Sequence, residues 1–158
     1  MKDLVGNDIQ VFGLPRSGTN FIEWSLQNNF KNLSYKNIYT NFNNNQISVK
    51  HDLPSFTYSK YVIVIYKEYN LWVASMKKDN KNPLYFPEYK KFLQTSNDLP
   101  KNKTIIVEHT WAVKNYFKML NLISKKFNFE LIDNPIQPKY KLNKGGSHSS
   151  QTNELFKL

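Results

Sequence analysis

The sequence predicts an α/β domain, a mainly parallel sheet flanked by helices. Three observations carry that expectation. Tyr61-Val62-Ile63-Val64-Ile65-Tyr66 and Thr104-Ile105-Ile106-Val107 are continuous β-branched runs, the pattern of strands buried on both faces. Each is followed by a stretch with helical period. Ile9–Phe12 passes through a glycine-bounded loop straight into an amphipathic pattern with Phe21, Ile22, Ser25 and Leu26 on one side. Strands alternating with helices in this way build a parallel sheet covered by helices.

Taken in order, Asp8–Phe12 is the first expected strand, and the helix after the loop runs from about Gly18 to Phe30. Ser34–Thr40 is a candidate short strand, and the asparagine-rich Asn41–Gln46 a polar loop. Ile47-Ser48-Val49-Lys50 alternates and reads as a second short strand, ending in His51-Asp52-Leu53-Pro54. The Tyr61–Tyr66 strand leads through Lys67-Glu68-Tyr69-Asn70 to a helix over Leu71–Lys78. Asp79–Pro83 is a polar break, and Pro87–Gln94 a short aromatic-rich helix. The aromatic stretch from Pro83 to Tyr89 either lines a pocket or packs over the sheet edge. Thr104–Val107 ends in Glu108-His109, and Trp111–Phe127 reads as one amphipathic helix, with Phe129–Ile132 as a last core strand. Trp24, Trp72 and Trp111 fall on helical faces and are expected in the core or at its rim. Ligands of open parallel sheets sit at the carboxyl ends of the strands. Arg16, His51, Lys67 and Glu108 all fall at or just past such ends.

At 158 residues the chain is expected to form a single domain over 1–158, with one sizeable core and an irregular segment over 134–158. Hydrophobic content of 40% and aromatic content of 15% favour a folded chain over a disordered one. No apolar run approaches the ~20 residues of a membrane helix, and Met1–Gly6 carries no signal-peptide core. A cytoplasmic protein without a membrane partner is therefore expected. The absence of cysteine excludes disulfides and thiolate metal sites. Lys and Arg total 22 against 12 Asp and Glu, a net charge of +10. That surplus suits anionic partners such as nucleotides, nucleic acid or acidic glycans, although much of it reads equally well as a solubilising lysine surface. Arg16 is the chain's one arginine, and arginine is the better bidentate anion ligand. It lies in the opening loop.

Gly13 and Gly18 have the glycine spacing of a Walker A loop, but Thr19 and Asn20 stand where that loop needs its Lys and its Ser or Thr. A Mg²⁺-dependent NTPase or kinase is thereby disfavoured. What remains is a cradle for phosphate or sulfate at a helix N-terminus, with Arg16 inside it and hydroxyls at Ser17 and Thr19. The bland alternative is a tight strand-to-helix turn capped by Ser17 or Thr19.

Pro15-Arg16-Ser17-Gly18-Thr19-Asn20-Phe21 resembles the P-[KR]-S-G-T-[TN]-[WFL] loop of sulfotransferases that use 3′-phosphoadenosine 5′-phosphosulfate (PAPS). A second element follows. The family's strand leading into R-x-P-x-D-x-x-x-S is similar to Tyr61–Tyr66 leading into Lys67-Glu68-Tyr69-Asn70-Leu71-Trp72-Val73-Ala74-Ser75, with cation and serine again eight apart. Lys67 replaces the usual Arg, and Tyr69 and Leu71 replace the Pro and Asp. Ile106-Val107-Glu108-His109 resembles the family's strand ending in Y-E-D, and Lys144-Gly145-Gly146 its late R-K-G loop, with Asn143 at the Arg position. The resemblance spans roughly Ile9 to Phe129.

The resemblance implies the P-loop-like architecture of that family and a metal-independent, in-line transfer of sulfonate from PAPS to an acceptor hydroxyl or amine. The product is 3′,5′-adenosine bisphosphate. Arg16, Ser17, Gly18, Thr19 and Asn20 would bind the 5′-phosphosulfate, and Phe21 would sit near adenine. Lys67 and Ser75 would hold the 3′-phosphate, with Lys144 and Gly145 in the C-terminal segment closing over it. Lys50-His51-Asp52-Leu53-Pro54 is similar to the strand-terminal K-T-H-L-P that carries the base, which makes His51 the expected base beside Arg16 in the catalytic pair. Asp52 and Glu23 are alternates, since a carboxylate can do the same work. His109 is expected to hold the start of its helix, and His148 to be solvated. The acceptor, whether glycan, peptide or small molecule, does not read from the sequence. Two other readings compete: a catalytically reduced relative that binds nucleotide without transfer, and a basic module for nucleic acid or another polyanion. The position of Arg16 and the Lys67-to-Ser75 spacing disfavour nucleic acid as the partner.

Overall fold

A computed structural model describes residues 7–78 and 85–138. Its elements are β1 (Ile9–Phe12), α1 (Thr19–Asn29), β2 (Tyr39–Phe42), β3 (Asn45–Ser48), β4 (Tyr61–Tyr66), α2 (Tyr69–Lys78), α3 (Tyr85–Asn97), β5 (Thr104–Glu108), α4 (His109–Lys114) and α5 (Tyr116–Phe127). β1, β4 and β5 form a parallel sheet in the order β1-β4-β5, with Val11 opposite Ile63 and Ile63 opposite Ile105. The pleat sends Ile63 and Ile65 to one face and Val62 and Val64 to the other. On the first face they meet Phe21, Ile22 and Leu26 of α1 and Met119, Leu120 and Ile123 of α5. On the second they meet Trp72 and Met76 of α2 and Tyr89 and Phe92 of α3. Helices therefore cover both faces, which is why β4 tolerates no polar residue between its tyrosines. The α/β class with a parallel sheet flanked by helices is the one observed, and among the described residues no helix is long and apolar enough to cross a membrane.

Several local expectations are corrected. The two short strands expected over 34–40 and 47–50 become an antiparallel hairpin, β2–β3, separate from the main sheet. Its turn residues Asn43 and Asn44 have φ of 51° and 66°, the left-handed pair a two-residue hairpin turn requires and asparagine tolerates. Val49–His51 is a turn of 3-10 helix rather than a strand end. The helix expected over 111–127 breaks at Asn115, whose backbone N–H and side-chain amide both donate to Trp111 O, the competition that makes asparagine a helix terminator. Phe129–Ile132 does not join the sheet; Leu131 makes an isolated antiparallel bridge to Phe30. Trp111 is exposed rather than in the core. From Tyr85 on, the aromatic stretch is the start of α3, where Phe86 meets Tyr69 edge-on at 5.6 Å and Tyr89 lies 5.5 Å from Trp72; Leu84 lies outside the described residues. Asp79–Pro83, Lys144, Gly145 and His148 lie outside the described residues.

The exit from β1 is tightly packed. Gly13 N–H donates to Lys50 O at 2.9 Å. A Cβ on Gly13 would lie 2.7 Å from Thr19 Cγ2 and 2.9 Å from Ile65 O, and the latter, being backbone, cannot step aside. Gly13→Ala is therefore expected to destabilise the fold by roughly 1–3 kcal/mol through overpacking, measured as a lowered urea midpoint with an unchanged m-value.

Candidate functional site

The carboxyl ends of the three parallel strands open onto one region. β1 leads into the loop 13–18, β4 into Lys67, and β5 into Glu108 and His109. In the loop, Ser17 N–H closes a turn on Leu14 O at 3.1 Å. Arg16 has φ 68° and Gly18 φ 105°. Left-handed residues alternating along such a loop turn its N–H groups toward one concave side, the arrangement that binds anions. For a non-glycine residue that conformation costs on the order of 1–3 kcal/mol, so the surrounding packing must enforce it. Part of that packing is Trp72, buried on α2, whose Nε1–H donates to Pro15 O at 2.8 Å.

α1 begins at Thr19 with Gly18 as its N-cap, no side-chain cap and no acidic residue in its first turn. The turn capped by Ser17 or Thr19 is thus not what forms. Both hydroxyl residues are buried, at 2% and 5% exposure. Arg16 is half-buried, and its Nε is enclosed with no hydrogen-bond partner. A guanidinium N–H desolvated without a partner is costly, and an anion would remove that cost.

Two further basic groups lie beside it. Lys67 Nζ donates to Ser75 Oγ at 3.2 Å, so the pair eight residues apart in sequence is a pair in space. Burial, and then the Arg16 charge, lower the Lys67 ammonium to about 8. Burial, and then the Lys67 charge, lower His109 to about 4. His109 packs against Gly18 so closely that a Cβ there would sit 2.6 Å from its Cδ2. The ion pairs formed among the described residues are Lys31 with Glu130 and Asp133, and Lys50 with Glu23. None includes Arg16 or Lys67. A lysine made costlier to charge by a neighbouring arginine, beside a helix N-terminus without a side-chain cap, is an arrangement that an anion would stabilise.

The His51 turn packs on the same loop. His51 Nδ1 lies 2.6 Å from Gly13 O; a carbonyl only accepts, so Nδ1 carries the proton and Nε2 is the basic nitrogen. The preceding residue, Lys50, is buried and donates to Asn20 Oδ1 at 2.9 Å and to Glu23 Oε1 at 3.0 Å. Tyr35 OH donates to the other oxygen, Glu23 Oε2, at 3.0 Å. Burial, and then the Glu23 charge, hold the Tyr35 phenol well above its usual range.

These contacts place the residues expected to act. Arg16, Ser17, Gly18, Thr19 and Asn20 form the loop and helix start, Lys67 and Ser75 join them, and His51 bonds the loop's first glycine. Glu23 does not remain a candidate base, because both of its oxygens accept hydrogen bonds inside the fold. Asp52 is exposed beside His51. Phe21, expected near adenine, is 3% exposed and sits edge-on to His109 and Tyr116 at 5.8 and 5.5 Å. A ring buried that fully is a core side chain and offers no face to a base. Lys144 and Gly145 lie outside the described residues. Trp72 is in the core and His109 at its helix start as expected, but sequence reasoning missed the pairing of Lys50, the bond from Trp72 to Pro15 and the packing of His109 on Gly18. Lys50 was visible beside His51, but its partner Glu23 lies 27 residues away, and no local pattern announces that pairing.

Among the described residues no group of three or more His, Asp or Glu is placed to hold a metal ion. Comparison with protein-family models, with curated proteins and with solved structures finds no match.

Breaking the buried pair from one side should be expensive. Glu23→Leu or Lys50→Met alone is expected to cost about 3–5 kcal/mol in urea denaturation, and the double variant far less than the sum. A second expectation concerns Lys67. Its folded value of about 8 lies below its ordinary 10.5, so between those values the unfolded chain holds more protons and stability rises with pH. An anion favours the charged ammonium and has the opposite dependence. Thermal stabilisation by inorganic sulfate should therefore fade as pH rises through about 8, and Lys67→Met should remove that fading.

Proposed function

We propose that this chain is a sulfotransferase, moving the sulfonate of PAPS to an acceptor hydroxyl or amine and releasing 3′,5′-adenosine bisphosphate. The observation that carries the reading is the approach of Arg16 to the Lys67–Ser75 pair at the uncapped start of α1. Those are the positions to which the sequence resemblance assigns the two ends of the donor. On this reading the loop belongs to a P-loop-like fold, and the protein is cytoplasmic. Arg16, with the backbone N–H groups of the loop and the helix start, holds the phosphosulfate. Lys67 and Ser75 hold the 3′-phosphate, Lys67 as a point charge without the fork of an arginine. Lys144 and Gly145 would close over the same phosphate. Phe21 supports the loop from the core rather than stacking on adenine.

The chemistry asked of these residues is positioning and charge. As the acceptor oxygen bonds to sulfur, the bond from sulfur to the bridging oxygen of the donor breaks. The acceptor proton passes to His51 Nε2, the nitrogen that the Gly13 hydrogen bond leaves as the basic one in the neutral ring. Charge appearing on the leaving phosphate falls to Arg16 and the positive end of α1. The +10 net charge also suits a polyanion-binding module, but such a module has no need for an enclosed Arg16 Nε without a partner.

Thermal shift with 3′,5′-adenosine bisphosphate, ATP and a DNA oligonucleotide separates the readings. The bisphosphate is expected to stabilise in moderate salt and ATP less so; DNA stabilisation alone, lost as salt rises, would sink the proposal. In transfer from labelled PAPS, Arg16→Ala should lower kcat by about 10²–10³. His51→Ala should lower it by about 10²–10⁴ with bisphosphate affinity little changed. An active His51→Ala moves the base to Asp52.

A further inference from the structure

The β2–β3 hairpin differs in chemistry from the basic chain that carries it. Tyr39 to Ile47 are all exposed. Residues 37–48 contain no Lys, Arg, Asp or Glu, although the whole chain carries a net charge of +10. Half of these residues are amides: Asn37, Asn41, Asn43, Asn44, Asn45 and Gln46. The register pairs Tyr39 with Ser48 and Asn41 with Gln46, so these four share one face. That face presents a phenol ring 51% exposed, two amides and a hydroxyl. Each of the polar groups both donates and accepts without charge. On the other face, Phe42 and Ile47 are diagonal neighbours by register, the kind of pair that stabilises a two-stranded ribbon.

The hairpin is rooted at the candidate site. Val49 N–H donates to Ile38 O at 2.9 Å, continuing the ladder to the turn that follows. Ser48 Oγ accepts from Lys50 N at 3.4 Å. Next comes His51, bonded to Gly13. Ser48 and His51 are three residues apart, at most about 11 Å along the chain, within the span of a short oligosaccharide.

The geometry points to the β2–β3 hairpin as the acceptor arm of the transferase, its Tyr39–Asn41–Gln46–Ser48 face binding a neutral, polyhydroxylated acceptor, a sugar chain. This inference rests on the sulfotransferase reading. A face without charge has nothing with which to complement an acidic polymer or a charged peptide, whereas amides that donate and accept match hydroxyls that do the same. A tyrosine ring covers the C–H face of a sugar at small entropic cost, having two side-chain torsions to fix. In the reaction one sugar hydroxyl gives its proton to His51 Nε2 and its oxygen to the sulfur, and the donor phosphate leaves with the bridging oxygen.

The test uses the full chain labelled with ¹⁵N. It is titrated with neutral oligosaccharides of galactose, glucose and N-acetylglucosamine, and separately with 3′,5′-adenosine bisphosphate. Sugar-induced shifts should concentrate at Tyr39–Ser48. In transfer assays on the oligosaccharide that binds, Tyr39→Ala should raise the acceptor KM about tenfold, with bisphosphate affinity unchanged, and Tyr39→Phe should restore most of the loss. A chain that binds the bisphosphate but shows no hairpin shifts with any of these sugars overturns the arm and leaves the donor reading standing. So does one that sulfates an acidic polysaccharide or tyrosyl peptide equally well with and without Tyr39→Ala. Hairpin shifts with sugar but no bisphosphate binding retain the arm as a glycan face and reject the donor reading instead.

Discussion

The candidate site depends on how closely the backbone passes Gly13. Its N–H donates to Lys50 O, its carbonyl accepts from His51, and the place of its missing side chain is taken by Thr19 and the Ile65 carbonyl. One residue thus joins the end of β1, the start of α1, the last residues of β4 and the turn that carries His51. Any side chain there would push apart the four elements that define the site. The position needs glycine for space rather than for backbone freedom, and it fixes where the anion loop, Lys67 and His51 stand relative to one another.

Around that junction the fold divides its charges by depth. Lys50 and Glu23 are buried as a pair, with Tyr35 and Asn20 completing their hydrogen bonds, so their charge is used inside the protein to tie the His51 turn to α1. Arg16 and Lys67 receive no carboxylate partner among the described residues, and the Arg16 charge makes Lys67 costlier to charge. The fold thus neutralises one lysine in the interior and leaves an arginine and a lysine without an ion-pair partner at the carboxyl ends of its strands, with Glu108 at the end of β5 in the same region. On the proposed reading it is this arrangement, more than the +10 net charge, that an anionic donor would meet.

Much of this was legible in the residues. The strands β4 and β5 were visible because a strand covered on both faces reads as a nearly continuous β-branched run, as Tyr61–Tyr66 and Thr104–Val107 do, and β1, which carries the buried Gln10, was visible from the glycine loop and helical pattern that follow it. The loop was visible from Gly13, Arg16 and Gly18, and the Lys67–Ser75 pair from its resemblance to the sulfotransferase motif. Less was legible where the signal was weak or distant. The asparagines at 43 and 44 looked like filler, yet their tolerance of positive φ makes the hairpin turn. Asn115 sits inside a continuous amphipathic pattern, and the pattern hid the break. Phe21 resembles a motif position that faces the ligand, but its ring is buried against His109 and Tyr116, 88 and 95 residues further along the chain.

By itself the sequence determined the α/β class, the sheet-facing residues and the presence of a cationic glycine loop between a strand and a helix. These follow from local periodicity and from residue types whose preferences act over a few positions. Tertiary structure alone decided which polar groups are consumed and which remain for a ligand. Glu23 and Lys50 are spent on each other, His51 receives its proton pattern from a carbonyl in another element, and Arg16 Nε is left without a partner. Hydrogen bonds and ion pairs between residues far apart in the chain require the sheet to bring them together, and no spacing along the sequence encodes that.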